Sequence, residues 1–231
     1  MRRWNIEVLA WALLGLGAGV LAGAGLNHFV GGFTGILAFW VALIVPVALA
    51  FRRSVPRGLL TFRAVDLLYA IVFGGFLRIV QGMLEVAFGG SGALPSYGSL
   101  SGSLPSLWWA ESLLAGGIVA PVVEEFFFHG LLLVAIFTVV RRSAKRSTSG
   151  DSGAGIGLGG FIAVVATTAA FVLTHHLVTP LGADAAVTLT LLGLVGGSLV
   201  ALTGRIWPAV LVHVVFNLTG VALTVAGTLL G

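Results

Sequence analysis

Residues 107–140 read LWWAESLLAGGIVAPVVEEFFFHGLLLVAIFTVV, an apolar run that carries Glu124, Glu125 and His129 near its centre. A helix needs about 20 apolar residues to cross a bilayer core of about 30 Å, so this run is long enough for one span. The sequence therefore predicts an all-α fold, a polytopic transmembrane helix bundle with about seven spans. The six further apolar runs are residues 7–26, 33–51, 64–88, 161–178, 185–203 and 206–230.

The composition of the whole chain supports this fold class. Of 231 residues, 58% are hydrophobic and only 9% are charged, whereas about 25% are charged in soluble domains. This balance excludes a water-soluble globular protein. The chain has no cysteine, which excludes disulfides, thiol nucleophiles and thiolate metal sites. We therefore expect a multi-pass protein of the cell membrane, surrounded by the lipid bilayer.

The basic residues indicate how the chain crosses the membrane. Eleven of the twelve Lys and Arg residues precede the first run or fall in alternate connecting loops. By the positive-inside rule, this places the N-terminus in the cytoplasm and the C-terminus outside. Orientation thus accounts for the net charge of +4, and we expect no nucleic-acid partner. The exception, Arg78, lies inside a span, and we expect it to tilt toward the interface, with partial pairing with Glu85 or a polar cavity as the alternatives.

The first run and the connecting loops add further expectations. Gly15, Gly19 and Gly23 recur every four residues, which is typical of helix-packing faces in membranes. The basic start and the small residues at 22–24 also resemble a cleaved signal peptide, but the run is long for one. Residues 141–160 are basic and rich in Ser and Gly, which predicts a flexible cytoplasmic loop with weak attraction for anionic lipids. Residues 89–106 are predicted to form a polar extracytoplasmic loop.

Ionisable and amide side chains lie inside three of the predicted spans, where a charged group costs about 2.5 to 3.5 kcal/mol and so indicates a function. Residues four apart share a helix face, so Glu125 can pair with His129, and His213 with Asn217. Adjacent residues diverge by about 100°, which gives the two carboxylates different directions and allows them different roles. The full set is Glu124, Glu125, His129, His175, His176, His213 and Asn217.

These residue types allow two kinds of chemistry. A carboxylate with two or three imidazoles can bind a divalent metal such as zinc, or it can activate water as a general base while a His and an Asn stabilise the oxyanion. Both routes give hydrolysis. Proton and ion pathways use Glu and His within membranes as well, so a small proton- or ion-coupled transporter is the competing interpretation.

Three motifs in this region resemble those of the CPBP intramembrane proteases, a family that includes CAAX prenyl endopeptidases and bacteriocin-processing or Abi-type proteins. The family shows Glu-Glu-x-x-x-Arg, Phe-x-x-x-His and His-x-x-x-Asn on successive core helices. His stands here in the position of the family's Arg. The matching segments are Glu124-Glu125-Phe-Phe-Phe-His129, Phe171-Val-Leu-Thr-His175 and His213-Val-Val-Phe-Asn217.

The resemblance implies a division of the chain and an activity. Residues 1–106 would be N-terminal transmembrane helices, about three spans, and residues 107–231 a CPBP-like protease core of about four. The implied function is an intramembrane endopeptidase that hydrolyses a peptide bond of a membrane-associated protein or peptide. The alternatives are a non-proteolytic relative of the family and the small transporter described above.

The resemblance also implies roles for the residues of the site. Glu124 and His175 would activate the attacking water, and His213 and Asn217 would complete the site. The supporting carboxylate would be Glu125, which faces position 129.

The motifs leave open whether a metal takes part. Because the chain has no HExxH motif, zinc or another divalent metal would have to be held across helices, by Glu124, His175 and His213. No organic cofactor is implied. We expect His176 to be a hydrogen-bonding neighbour rather than a further ligand, since it diverges from His175 on the helix.

Overall fold

The computed structural model describes residues 4–30, 33–98, 102–147 and 152–230. Within these residues, seven helices are long and apolar enough to cross a membrane. This confirms the predicted all-α, seven-span architecture. Arg2 and Arg3, which contribute to the predicted orientation, lie outside the described residues. The helices are α1 (Ile6–Phe29), α2 (Thr34–Arg53), α3 (Val65–Ala87), α4 (Trp109–Ser143), α5 (Gly157–Val178), α6 (Ala183–Thr203) and α7 (Trp207–Leu230).

The predicted loop between α4 and α5 is shorter than the sequence suggests. The helix that contains α4 continues to Ser147, and the helix that contains α5 begins at Ser152. Extending an existing helix adds one hydrogen bond for each residue fixed, so polar residues beside a span can stay helical. The prediction of a flexible loop over residues 141–160 was therefore wrong at both ends, and residues 148–151 lie outside the described residues.

Helices α1 and α2 pack closely through the predicted glycine face. A Cβ atom on Gly15 would lie 2.8 Å from Pro46 Cγ, and one on Gly19 would lie 3.0 Å from the Cβ of Ala42. Gly15 has no room for a larger side chain, because real Cβ atoms essentially never lie within 3.0 Å of a non-bonded heavy atom. At Gly19 the contact would be tight, and its neighbour would have to move by a few tenths of an ångström. The interpretation of Gly15, Gly19 and Gly23 as a packing face is confirmed.

Helix α4 departs from a regular α-helix on both sides of its two carboxylates. Trp109–Val119 and Phe126–Leu132 form wide π-helical turns, and only Ala120–Glu125 between them is α-helical. Such turns are frequent at functional sites, because they change the direction in which neighbouring side chains point. The residues of the first predicted motif therefore lie where the helix changes its winding.

Polar contacts tie together the chain segments on the side of the bundle that carries the basic loops, which we call the basic side. Arg205, between α6 and α7, donates to Asp66 at the start of α3 over 2.5 Å. The indole of Trp207 donates to the Leu60 carbonyl over 2.9 Å. These contacts fix the start of α7, the helix that carries His213, against the start of α3.

Arg78 is anchored to α7 instead of pairing with Glu85. Its guanidinium donates to Gln81 and to the Phe216 carbonyl, and it lies 4.0 Å from the centroid of the Phe216 ring. The expected partial pairing with Glu85 was wrong because it considered only neighbours on the same helix, and the tilt toward the interface stays a prediction. The contacts made by Arg78 join α3 to α7 within the membrane.

The orientation of the bundle stays a prediction. A reporter fused after Gly231 is expected to be extracytoplasmic, and one fused after Arg142 cytoplasmic, because basic loops are retained inside. Paired reporters that are active only outside or only inside the cell, such as alkaline phosphatase and a fluorescent protein, measure this. A cytoplasmic signal after Gly231 would contradict the assignment of the basic side to the cytoplasm.

Candidate active site

Glu124 and Glu125 lie at the end of the short α-helical segment of α4 and face different surroundings. Glu125 is 2% exposed and is enclosed by protein, whereas Glu124 is 8% exposed and lines a cavity. The two adjacent carboxylates therefore have separate environments, as their divergence on the helix predicts.

Glu125 is held by two buried imidazoles. Its Oε2 lies 2.5 Å from Nδ1 of His129, and its Oε1 lies 2.9 Å from Nδ1 of His213. The contact with His129 follows from the spacing of four residues along one helix. The contact with His213 on α7 could not be predicted from sequence, because the two residues are 88 positions apart. Both carboxylate oxygens thus accept a hydrogen bond, which fixes Glu125 in place.

Glu124 faces two other imidazole nitrogens. Its Oε2 lies 3.7 Å from Nε2 of His175 and 4.0 Å from Nε2 of His213. Both separations are too long for a direct hydrogen bond and suit a bridging water molecule. His213 therefore connects the two carboxylates, with Nδ1 toward Glu125 and Nε2 toward Glu124.

The hydrogen-bond partners determine which ring nitrogens carry protons. His175 Nδ1 lies 2.9 Å from the Phe171 carbonyl, which can only accept, so this nitrogen is the donor. The Nδ1 of His213 likewise donates to the Glu125 carboxylate. In the neutral form of each ring, Nε2 then presents a lone pair toward Glu124. Three hydrogen-bond acceptors therefore face one another across a gap, namely Glu124 Oε2 and the Nε2 atoms of His175 and His213. We call this space the Glu124 gap. A proton donor or a cation between the three atoms would stabilise the arrangement.

Aromatic side chains form the wall of this gap. The Phe171 ring centroid lies 4.4 Å from that of His175 and 5.9 Å from that of His213. On its other side, Phe171 contacts Phe128 of α4. Phe171 is 1% exposed, so it excludes water from one side of both imidazoles. This matches the position of Phe in the second predicted motif.

A cavity of about 270 Å³ opens beside Glu124 and His175. One wall comes from α2 through Phe39 and Trp40, so a span outside the predicted protease core contributes to the site. Glu111 lines the same cavity and was missed in the sequence, because it lies beside the tryptophans at the start of α4, where polar residues are ordinary. The cavity therefore leaves Glu124 and His175 accessible from outside the helix bundle.

Asn217 contacts α4 rather than an imidazole. Its amide nitrogen donates to the Gly116 carbonyl over 2.9 Å. In this π-helical stretch the N–H of Ala120 bonds to the Ala115 carbonyl, five residues back. By the same pattern Gly116 would pair with residue 121, but Pro121 has no N–H. Asn217 supplies the missing donor and so stabilises the wide turn ahead of the carboxylates.

Comparison with known proteins gives a match to a protein family. The family model described as type II CAAX prenyl endopeptidase Rce1-like matches residues 106–219, which include both carboxylates of the site, its imidazoles and Asn217 but not the cavity residues of α2. Through this segment, the chain belongs to the Rce1-like family. Comparisons with curated proteins and with solved structures find no match. Membership in the Rce1-like family implies a peptidase, and with seven candidate spans it supports a multi-pass membrane protein.

His176 lies away from the Rce1-like site. Its side chain is exposed, and its Nδ1 accepts from the backbone N–H of Leu181 over 3.1 Å. It lines a separate groove between α5 and α6. His176, near the end of α5, thus accepts a hydrogen bond from the loop after that helix and lies outside the Glu124 gap.

The Rce1-like donor set suits a divalent metal in chemistry but not in spacing. Glu124 Oε2 and the Nε2 atoms of His175 and His213 are ligand types that zinc accepts, and a carboxylate behind His213 is the usual orienting contact for a metal-binding imidazole. Within the described residues, however, no three His, Cys, Asp or Glu side chains lie close enough together to hold an ion.

His129 occupies a position with little spare room. It is fully buried, and a Cβ on Gly196 of α6 would lie 3.1 Å from its Cε1 and 3.4 Å from Glu125 Oε2. A Cβ on Gly197 would lie 3.4 Å from its Nε2, which has no hydrogen-bond partner among the described residues. Two glycines on α6 therefore leave the space that the imidazole fills.

We expect Gly196→Val to lower peptidase activity by about 10- to 100-fold, the range seen when a residue that orients the reacting groups is disturbed. The added methyl groups would push His129 away from Glu125 and so displace His213. Gly82→Val is the matched control, because a Cβ there meets nothing within 4 Å. Equal activity of both variants, measured at equal amounts of folded protein, would contradict this role for Gly196.

Proposed function

We propose that this protein is an intramembrane endopeptidase that hydrolyses a peptide bond with a water molecule activated by Glu124 and His175. The observation that carries the proposal is the gap between Glu124 Oε2 and the Nε2 atoms of His175 and His213, at 3.7 and 4.0 Å, beside a cavity. Water bound there would donate to Glu124, and a peptide carbonyl entering from the cavity would face its oxygen.

The proposed reaction uses Glu124 as both base and acid. Glu124 removes a proton from the water, and the oxygen attacks the carbonyl carbon of the peptide bond. The tetrahedral intermediate carries a negative charge, which an imidazole that is protonated at Nε2 as well as at Nδ1 can stabilise. Glu124 then returns the proton to the leaving nitrogen as the carbon–nitrogen bond breaks. The products are a new carboxyl terminus and a new amino terminus.

Glu125 and His129 serve as positioning residues in this scheme. Because both oxygens of Glu125 accept hydrogen bonds from buried rings, it is already engaged and cannot act as a free base. Its contact fixes the tautomer of His213, which keeps Nε2 directed at Glu124. His213 and Asn217 complete the site, the first through the Glu124 gap and the second by stabilising the turn of α4.

A metal-dependent variant of the same proposal uses the same residues. Glu124, His175 and His213 would have to move closer together than they lie here to hold the ion. A bound ion would supply a Lewis acid for the peptide carbonyl and lower the pKa of bound water. The test is activity of purified protein after dialysis against a chelator, with restoration by zinc. Full activity without detectable metal would refute the metal-dependent variant, and activation of water by Glu124 and His175 alone would then be the mechanism.

The substrate is proposed from the setting of the site. The cavity opens among apolar side chains of α2 and α5, so a peptide must enter from the membrane or its surface. A membrane-associated protein or peptide meets this requirement. The description of the family points to prenylated carboxyl-terminal peptides as the first class to examine.

Comparison of membrane proteomes can identify the substrates. Cells that carry the wild-type protein should contain new protein termini that are absent from cells with equal amounts of Glu124→Gln protein. A non-proteolytic relative, or a transporter, would leave the two sets of termini identical. That result would refute the proposed function.

A further inference from the structure

A second cavity, of about 660 Å³, lies on the basic side and shares no lining residue with the cavity beside Glu124. It is bounded by the start of the described chain, by the loop after α2 and by the end of α4. We call it the basic cavity. Its basic residues are Arg57, Arg141 and Arg142, and its apolar residues include Trp4, Pro56 and Phe137.

The three arginines of the basic cavity have no acidic partner among the described residues. By contrast, Arg53 and Arg205 are each paired with a carboxylate at 2.5 Å. Arg57 and Arg141 are exposed and Arg142 is partly buried, so their guanidinium groups are accessible. Three cations around one cavity repel one another unless an anion binds between them. The charge of the cavity therefore favours an anionic ligand.

The walls of the basic cavity suit a ligand that also carries apolar groups. Trp4 is 4% exposed, and its indole donates to the Ser54 carbonyl over 2.9 Å, which fixes the ring as a rigid wall. The Arg141 guanidinium lies 5.8 Å from the centroid of the Phe137 ring. Apolar surface therefore lies directly beside the cationic groups, as an amphiphile requires.

The position of the basic cavity favours a lipid over a soluble anion. It lies where α2 ends and α4 leaves its apolar run, which is the depth at which headgroups meet the hydrocarbon core. Basic pockets between helices on the cytoplasmic side are suited to anionic headgroups, because guanidinium groups form paired hydrogen bonds with phosphate. A zwitterionic headgroup is disfavoured, since its own cation would face the arginines.

We propose that the basic cavity binds the phosphate-bearing headgroup of an anionic phospholipid from the leaflet on that side. The phosphodiester lies between Arg57 and Arg142, and the first acyl carbons lie against Trp4 and Phe137. This site is separate from the peptidase site and does not depend on the proposed function.

Binding of short-chain lipids to the purified full chain in detergent tests the proposal. The probes are dioctanoyl-phosphatidylglycerol, dioctanoyl-phosphatidylcholine and inorganic phosphate, and the readouts are the rise in melting temperature and native mass spectrometry. The wild type should bind the glycerol lipid and not the choline lipid. Equal binding of both lipids would overturn the preference for an anionic headgroup. If inorganic phosphate bound as well as phosphatidylglycerol, the proposal that the ligand is a lipid would be overturned.

Two charge-matched double variants locate the site. Arg57→Gln/Arg142→Gln should weaken phosphatidylglycerol binding by about tenfold or more, because two charge-assisted contacts are lost. Arg52→Gln/Arg63→Gln removes two exposed charges on the same side but outside the cavity, and should change binding by about twofold at most. Equal weakening by the two pairs would show general attraction to the basic side and overturn the proposed site.

A third variant guards against misfolding of the first pair. Thr138→Trp fills the cavity but leaves every charge in place, so it should also lose binding while the melting temperature without lipid stays near that of the wild type. Binding by Thr138→Trp with wild-type affinity would overturn the proposal. Peptidase activity in detergent is expected to be the same in all these variants as in the wild type, whether or not they bind the lipid.

Discussion

Replacement of Glu124 by Gln is expected to lower the rate of peptide cleavage by about 10² to 10⁴, the usual cost of losing a general base. The amide keeps the shape of the carboxylate and can still hold a water molecule, but it cannot accept the proton. Because Glu124 is not hydrogen-bonded directly to either imidazole, the fold should survive the change. The measurement is the initial rate of cleavage of a membrane-associated peptide by purified protein in lipid vesicles.

Glu85→Gln provides the matched control, since it removes a carboxylate from a different part of the same membrane-spanning bundle. Its cleavage rate should equal that of the wild type. A well-folded Glu124→Gln protein with near-normal activity would remove Glu124 from the mechanism, and Glu111, the other carboxylate of the cavity, would then be the residue to test.

The second large effect is expected at His129. His129→Ala should lower the free energy of unfolding by about 3 to 5 kcal/mol, the range for losing one partner of a buried ionic contact. The loss leaves Glu125 with one imidazole instead of two and a void against Gly196. Thermal unfolding in detergent measures this effect.

His129→Arg distinguishes the two roles of this residue. If His129 stands in for the family's Arg, the guanidinium can donate to Glu125 in its place, and activity should be preserved over a wider pH range, because Arg does not titrate. If His129 is a metal ligand, the change should abolish activity and bound metal together, since a guanidinium has no lone pair to offer. The burial of His129, and its contact with Glu125 rather than with the Glu124 gap, favour the first outcome. Joint loss of activity and metal would contradict it.

The seven spans could be predicted from sequence because each is a long apolar run, and membrane thickness sets the length of a span. The contact between Glu125 and His129 could be predicted for a similar reason, since it depends only on residues four apart on one helix. Both features are local in sequence. They needed no knowledge of how the helices pack.

Contacts between helices could not be predicted in this way. His213 bonding to Glu125, Asn217 bonding to Gly116 and Arg78 bonding to Phe216 each join residues about 90 to 140 positions apart. Motif spacing shows which residues share a helix face but not which face of another helix they meet. The prediction of a loop at residues 141–160 was wrong because it rested on the composition of that segment alone. Composition does not show that the neighbouring helices continue into the segment.

The most direct test of peptide hydrolysis by Glu124 is mass spectrometry of a single-turnover reaction. Purified wild-type protein in lipid vesicles is mixed with a limiting amount of a prenylated carboxyl-terminal peptide. We expect two fragments whose masses together equal that of the peptide plus one water molecule, and an intact peptide with Glu124→Gln protein. Cleavage by both proteins at the same rate, or a panel of membrane-associated peptides left intact by correctly folded wild-type protein, would contradict the account.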